Sequence, residues 1–256
     1  MRRALIGGLL GLLVAFAILG IRGLLHPEAD LRATGDPPVR VTPVYSPPVL
    51  AGQVIWGPCS GGFYARMGDQ IVLTSTGHCT TTGTIATAPD GKTVRGVWGP
   101  PAVAPTCDKP GKTCAASDIN YLLVAADQIP WGHLNEIDLG TGGYRTLDEA
   151  TKPLRCEDVH VGDTAEINGR DIHRIGDVAE KGDETETVMY FPCMIAARIQ
   201  VSGGDSGGAV LVNGQPAGVT SRSFGGWLGF TPLAEGLEQL GLELCLTPNC
   251  GLTPPG

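Results

Sequence analysis

Three features of the sequence could do chemistry together: a serine in a glycine-rich turn, a histidine beside a cysteine, and an aspartate heading an apolar run. The serine is Ser206, in Gly203-Gly204-Asp205-Ser206-Gly207-Gly208, which leads straight into the apolar stretch 209–212. Glycines permit positive φ, expose the hydroxyl and let backbone N–H groups point at a developing oxyanion. The natural donors are the N–H groups of Gly204 and Ser206. A plain glycine-rich hairpin with a polar tip would carry the same residues, so the motif needs partners. It also satisfies G-x-S-x-G, the nucleophile elbow of α/β-hydrolases, whose acid and histidine follow the serine. Here all five histidines, at 26, 78, 133, 160 and 173, precede Ser206, and no Asp follows it. That excludes the α/β-hydrolase reading. An Asp, His, Ser order is not excluded by counting, but no α/β alternation supports it.

His78 ends the run Thr74-Ser75-Thr76-Gly77-His78-Cys79, which follows an apolar strand pattern. A strand end and a neighbouring cysteine hold an imidazole rigidly, as a general base requires. His133, His160 and His173 lack such placement and read as ordinary structural histidines; His26 falls in a proline-rich stretch. Asp118 heads Ile119-Asn120-Tyr121-Leu122-Leu123-Val124, where it is drawn toward the interior and needs a partner. An imidazole Nδ1–H supplies one, fixing the tautomer so that Nε2 faces the serine. Asp108, Asp127 and Asp138 read as surface groups.

The elements that must position these residues are short strands. Runs at 63–66, 70–75, 93–98, 119–125, 164–167, 187–191, 209–212 and 217–221 alternate with Gly, Pro and Asp turns, the pattern of a barrel or sandwich. The 38 glycines, 20 prolines and 17% charged residues agree with an all-β protein. One helix is predicted, from 232 to about 240, with proline at its first turn and Gly241 past its end. The formal charge of −8 offers no basic patch, so nucleic acid is not an expected partner. Eight cysteines, at 59, 79, 107, 114, 156, 193, 245 and 250, form an even set without paired CxxC motifs, which favours disulfides and an oxidising compartment over a metal site. They allow 105 connectivities, of which nearest-neighbour loops are the simplest.

Residues 4–21 are uncharged and mostly apolar, with Arg2 and Arg3 before them and Arg22 after. At that length an uncleaved signal anchor is favoured over a signal peptide, with the rest of the chain outside the cytoplasm. Ala15-Phe16-Ala17 matches a cleavage site but lies within the apolar run. Residues 27–58 hold seven prolines and read as an extended spacer, so the expected division is 1–25 signal or anchor, 26–50 spacer, and 51–256 folded domain.

The segments TSTGHC, SDINYLLV and GGDSGG, in the order His, Asp, Ser, resemble the chymotrypsin-like serine proteases, most of all short bacterial members such as alpha-lytic protease and the streptogrisins. Cys59-Ser60-Gly61-Gly62-Phe63 before His78, Ala217-Gly218-Val219-Thr220-Ser221 after Ser206, and the tail at 231–244 extend the similarity to about residues 53–246. The resemblance implies two six-stranded antiparallel β-barrels, at about 51–130 and 131–246, and a Cys59–Cys79 bridge. It implies a monomer that hydrolyses peptide bonds through an acyl-enzyme without metal or cofactor. Ser206 is then the nucleophile, His78 the general base, Asp118 the orienting carboxylate, and Gly204 and Ser206 the oxyanion donors.

By the same resemblance, Ser221, Arg222 and Ser223 would pair with substrate backbone, and counting back from Ser206 places the pocket base near Gln200, with Ser202, Gly225 and Gly226 as walls. No acid occupies those positions, so cleavage after Lys or Arg is not expected. The chain departs from the family in carrying Arg222 and Ser223 where an aromatic residue and glycine are usual. It also lacks room for a large folded pro-region, and Val49-Leu50-Ala51-Gly52 is a poor match to an activating N-terminus, so Asp205 is expected to pair with an internal arginine instead. Two other readings stay open: a protease-like binding module that has lost turnover, and an esterase on the same scaffold.

Overall fold

Short apolar strands closed by Gly and Pro turns leave many polar backbone groups to pair, and they do so in two assemblies of six antiparallel strands, the second of which also takes up Thr113–Cys114 as a parallel seventh. The protein was analysed as a computed structural model, which describes residues 47–56, 59–79, 81–104, 107–140, 142–170, 172–185 and 189–255. Residues 1–43 and 44–256 separate into two units. The expected signal or anchor at 1–25, His26 and most of the spacer lie outside the described residues. Among the described residues, no helix is long and apolar enough to cross a membrane.

The first assembly contains β1 (Tyr64–Met67), β2 (Gln70–Thr76), β3 (Ile85–Thr87), β4 (Val94–Trp98) and β5 (Ile119–Val124). The second contains β6 (Thr164–Gly169), β7 (Ile172–Thr185), β8 (Met189–Gln200), β9 (Ala209–Val212), β10 (Gln215–Phe224) and β11 (Trp227–Pro232). After helix α1 (Leu233–Leu240), β12 (Glu243–Leu244) returns to pair with β1. The orders are β12-β1-β2-β5-β4-β3 and β7-β6-β9-β10-β11-β8, and a β7–β8 ladder closes the second into a barrel.

The expectation of two closed barrels needs correction for the first assembly. Its outer strands, β12 and β3, are two and three residues long and share no ladder among the described residues. The ladder of Val54–Trp56 with Cys59–Ser60 lies beside β3. Pairing crosses the two halves of the chain: β12 belongs with the first assembly, while Thr113–Cys114 joins β8 of the barrel.

The apolar run of β9 shows why it lacks alternation. Val210 and Val212 face the barrel core with Ile167, Ile195 and Phe230, whereas Leu211 joins Phe63, Leu73, Leu122 and Val219 in the core between the assemblies. Buried on both faces, the strand needs apolar side chains at every position. Helix α1 begins after Pro232 and ends at Gly241, whose φ of 64° lets the Leu242 N–H return to the Leu237 C=O at 2.9 Å. The helix packs closely on β5: a β-carbon at Gly236 would lie 2.6 Å from Ile119 Cδ1.

Among the longer strands, three readings differ from expectation, and the short strands Val54–Trp56, Ile85–Thr87, Thr113–Cys114, Glu136–Asp138 and Tyr144–Thr146 were not expected at all. The run expected at 187–191 extends to Gln200, because Pro192 sits at a bulge, where the register skips between Gly182/Met194 and Glu184/Phe191. Strand β7 was hidden by its charged outer face, and β11 by glycine and proline.

Candidate active site

The register of β2 against β5 brings two of the three candidate residues together. Thr76 at the end of β2 lies opposite Ile119 at the start of β5. The next residues on one strand form the single 3₁₀ turn Gly77–Cys79, and the residue before the other is Asp118. His78 therefore meets Asp118, 40 positions along the chain. Nδ1 of His78 stands 2.9 Å from Asp118 Oδ2, and Nε2 stands 3.1 Å from Ser206 Oγ.

Asp118 is mostly buried, whereas the His78 side chain is 49% exposed. A carboxylate removed from water must recover its lost hydration from donors. Asp118 Oδ2 accepts from the hydroxyls of Thr76 and Ser221, both at 2.6 Å, besides the imidazole. Its Oδ1 accepts from the Gly77 N–H at 3.0 Å. Thr231 fixes the backbone as well: its Oγ1 accepts from the Asp118 N–H at 3.0 Å and from Ser117 Oγ at 2.9 Å. Thr76 lies within the TSTGHC segment but carries no expected role there, and Thr231 stands only in the tail with no role assigned. Ser221 was expected to contact substrate backbone; it stands in β10 with its hydroxyl on Asp118.

Ser206 occupies the turn between β8 and β9. The Ser60 N–H donates to its carbonyl at 2.7 Å, and the Gly207 N–H donates to the Thr220 C=O at 2.7 Å. Gly207 has φ 84°, and a β-carbon there would fall 2.1 Å from Ser75 Oγ and 2.4 Å from the Ser60 C=O. Only glycine fits. The N–H groups of Gly204 and Ser206 meet no acceptor among the described residues, the condition in which a pair of donors can receive an oxyanion.

The eight cysteines pair with their sequence neighbours: Cys59–Cys79, Cys107–Cys114, Cys156–Cys193 and Cys245–Cys250. The first bridge links the residue before Ser60, which holds the serine turn, to the residue after His78.

Asp205 does meet an internal arginine. Its side chain is 1% exposed and its Oδ1 pairs with Arg174 Nη2 at 2.5 Å, while Oδ2 accepts the Ser202 N–H at 2.8 Å. Arg222 leans away from the triad, its guanidinium over the rings of Phe191 and Phe224 and its Nη1 3.4 Å from Glu184 Oε1. Ser223 is exposed and its Oγ accepts the Gly226 N–H at 3.0 Å. Gln200, at the end of β8, is exposed and gives its carbonyl to Arg174 Nη1 at 2.6 Å; Ser202, Gly225 and Gly226 are exposed as well. The remaining described histidines lie on other carboxylates: His133 on Glu136 at 2.8 Å, His160 by Asp163 at 3.8 Å and His173 on Glu166 at 3.0 Å.

No protein-family model matches the sequence, and no curated protein matches it. Solved structures do. A chymotrypsin from Cellulomonas bogoriensis is 22% identical, with a TM-score of 0.57 over 78% of this chain and 99% of its own. Protease A from Thermobifida fusca is 24% identical, with 0.56 over 77% of this chain and 97% of its own. A glutamic-acid-specific serine protease, described as using a histidine triad in substrate binding, is 23% identical, with 0.59 over 77% of this chain and all of its own. The described residues thus share the chymotrypsin-like fold of bacterial serine proteases, with a closed six-stranded barrel and a single C-terminal helix.

Proposed function

We propose that this protein is a serine endopeptidase acting outside the cytoplasm on polypeptide substrates. The observation that carries the reading is the continuous relay from Asp118 through His78 to Ser206, at 2.9 and 3.1 Å, beside two unengaged backbone N–H groups. Ser206 Oγ attacks the scissile carbonyl as His78 Nε2 takes its proton, and the oxyanion is received by the Gly204 and Ser206 N–H groups. When the C–N bond breaks, His78 returns the proton to the leaving amine; water then repeats the sequence on the acyl-enzyme. Asp118 stays ionised, orienting the ring and stabilising the imidazolium. The backbone at Arg222 and Ser223, paired with β11 on one side, offers on its other side the edge along which an extended substrate would lie, with Gln200 near the primary pocket. Four disulfides support an oxidising compartment.

The test is labelling with a fluorophosphonate probe together with casein cleavage, using Ser206→Ala as control. Labelling and cleavage that both vanish in Ser206→Ala support the reading. Absence of labelling in the native protein favours a binding module. Labelling with hydrolysis of short p-nitrophenyl esters but not of casein favours an esterase.

A further inference from the structure

The two candidate oxyanion donors are held in different ways. The Ser206 N–H belongs to the peptide whose carbonyl is that of Asp205, which accepts the Gly208 N–H at 2.9 Å and whose side chain is pinned by Arg174. The Gly204 N–H belongs to the peptide whose carbonyl is that of Gly203. That carbonyl is held by Arg170: Nη1 donates to it at 2.7 Å and to Ser202 Oγ at 3.1 Å. A second contact comes through Ser60, which is fully buried. The Arg170 N–H donates to Ser60 Oγ at 2.9 Å, and the Ser60 hydroxyl donates to the Gly204 C=O at 2.7 Å. Both peptides flanking Gly204 are thus tied to one residue.

We propose that Arg170 is a positioning residue for the oxyanion hole, holding the Gly203–Gly204 peptide so that the Gly204 N–H faces the reacting carbonyl; this rests on Ser206 being the nucleophile. In a trans peptide the C=O and N–H project in opposite directions, so a guanidinium holding the Gly203 carbonyl turns the Gly204 N–H away from itself. Two consecutive glycines give that peptide little intrinsic preference. Rotation of the unit would put a carbonyl where the donor must stand and repel an oxyanion. The fit is close: a β-carbon on Gly204, whose φ is 105°, would lie 2.5 Å from Arg170 Cδ, so the arginine stem lies against the glycine. Arg170 itself has φ 51°, a left-handed conformation uncommon for a residue with a side chain, just beyond the end of β6. Such a departure from local preference, in a residue whose polar contacts go to the serine turn, is how a fold holds a site against its own flexibility.

The experiment uses the full chain with Arg170→Met, which keeps the stem and removes the donors, Arg170→Gly, which suits the backbone angle and removes both, and Arg170→Lys. The expected result is a fall in kcat of about 10- to 100-fold for Met and Gly, less than the roughly 10²- to 10³-fold cost of deleting an oxyanion donor outright. KM should stay within about twofold, Lys should recover part of the loss, and millimolar guanidinium should raise the rate of Arg170→Gly. A purely structural role would lower the melting temperature and leave kcat of the folded fraction unchanged. Values of kcat within about twofold of the native enzyme in both Met and Gly variants overturn the proposal. If Arg170→Gly fails to fold, the Met and Lys comparison decides. If the native protein reacts with no fluorophosphonate, the nucleophile reading falls by itself. A crystal structure of Arg170→Met then reads the proposal directly, and an unrotated Gly203–Gly204 peptide overturns it.

Discussion

Arg174 on β7 reaches across to Asp205 beside the nucleophile, forming a 2.5 Å ion pair on a carboxylate that is almost wholly buried, while its second terminal nitrogen holds the Gln200 carbonyl. One arginine therefore ties both ends of the segment that precedes Ser206. Removing it strands a buried charge, which costs about 3–5 kcal/mol. Arg174→Met should lower unfolding free energy by that amount in urea titration and abolish labelling of Ser206. Because Asp205 already has a cation, activity should not depend on a newly cleaved N-terminus. N-terminal sequencing of active protein checks this.

Asp118→Asn should preserve the fold and reduce kcat by about 10⁴-fold, because an amide cannot fix the productive imidazole tautomer. Ser221→Ala and Thr76→Val each remove one hydrogen bond to the same carboxylate oxygen. A charge-assisted hydrogen bond contributes about 1.5–3 kcal/mol, so each should reduce kcat by no more than about 10- to 150-fold. Peptide hydrolysis under saturating substrate measures all three.

Tyr64 is 2% exposed and its phenol donates to the Val49 carbonyl, tying the start of the described chain to β1. Burial pushes the phenol well above its ordinary range, with Arg95 opposing. The folded state thus favours the protonated phenol: its contribution is fully present below about pH 10, the unfolded value, and is lost as pH rises through the raised folded value. Tyr64→Phe should be about 1 kcal/mol less stable at neutral pH. Its deficit should shrink above pH 10, read from urea midpoints of both proteins across that range.

The positions expected around the primary pocket, Gln200, Ser202, Gly225 and Gly226, include no acid. Proteomic profiling of cleavage sites, with Ser206→Ala as blank, should show no dominant preference for Lys or Arg on the acyl side of the scissile bond. A strong arginine preference would sink this reading.

The strands that read most clearly were those whose apolar side chains meet a core: 209–212 was legible in full, and 70–75 and 119–125 to within a residue. Helix α1 was marked by Pro232 and Gly241 because its caps are local backbone chemistry. Strand β7 was not legible, since two glycines and six charged residues among its 14 interrupt any apolar alternation.

By itself, the sequence determined which residue types could act and in what order, since chain order excluded an α/β-hydrolase and glycine at 204 and 207 is a local backbone demand. Nearest-neighbour pairing of cysteines was the simplest of many options, and the fold adopts it throughout. Only the tertiary structure decided what surrounds the three candidate residues. Asp118 gains Thr76, Ser221 and Thr231 because β2, β10 and β11 converge on the head of β5, and Asp205 gains Arg174 because β7 curls back toward the serine turn. These partners stand 31 to 113 residues from the groups they hold, and no local pattern encodes a hydrogen bond whose two ends meet only when the sheets close.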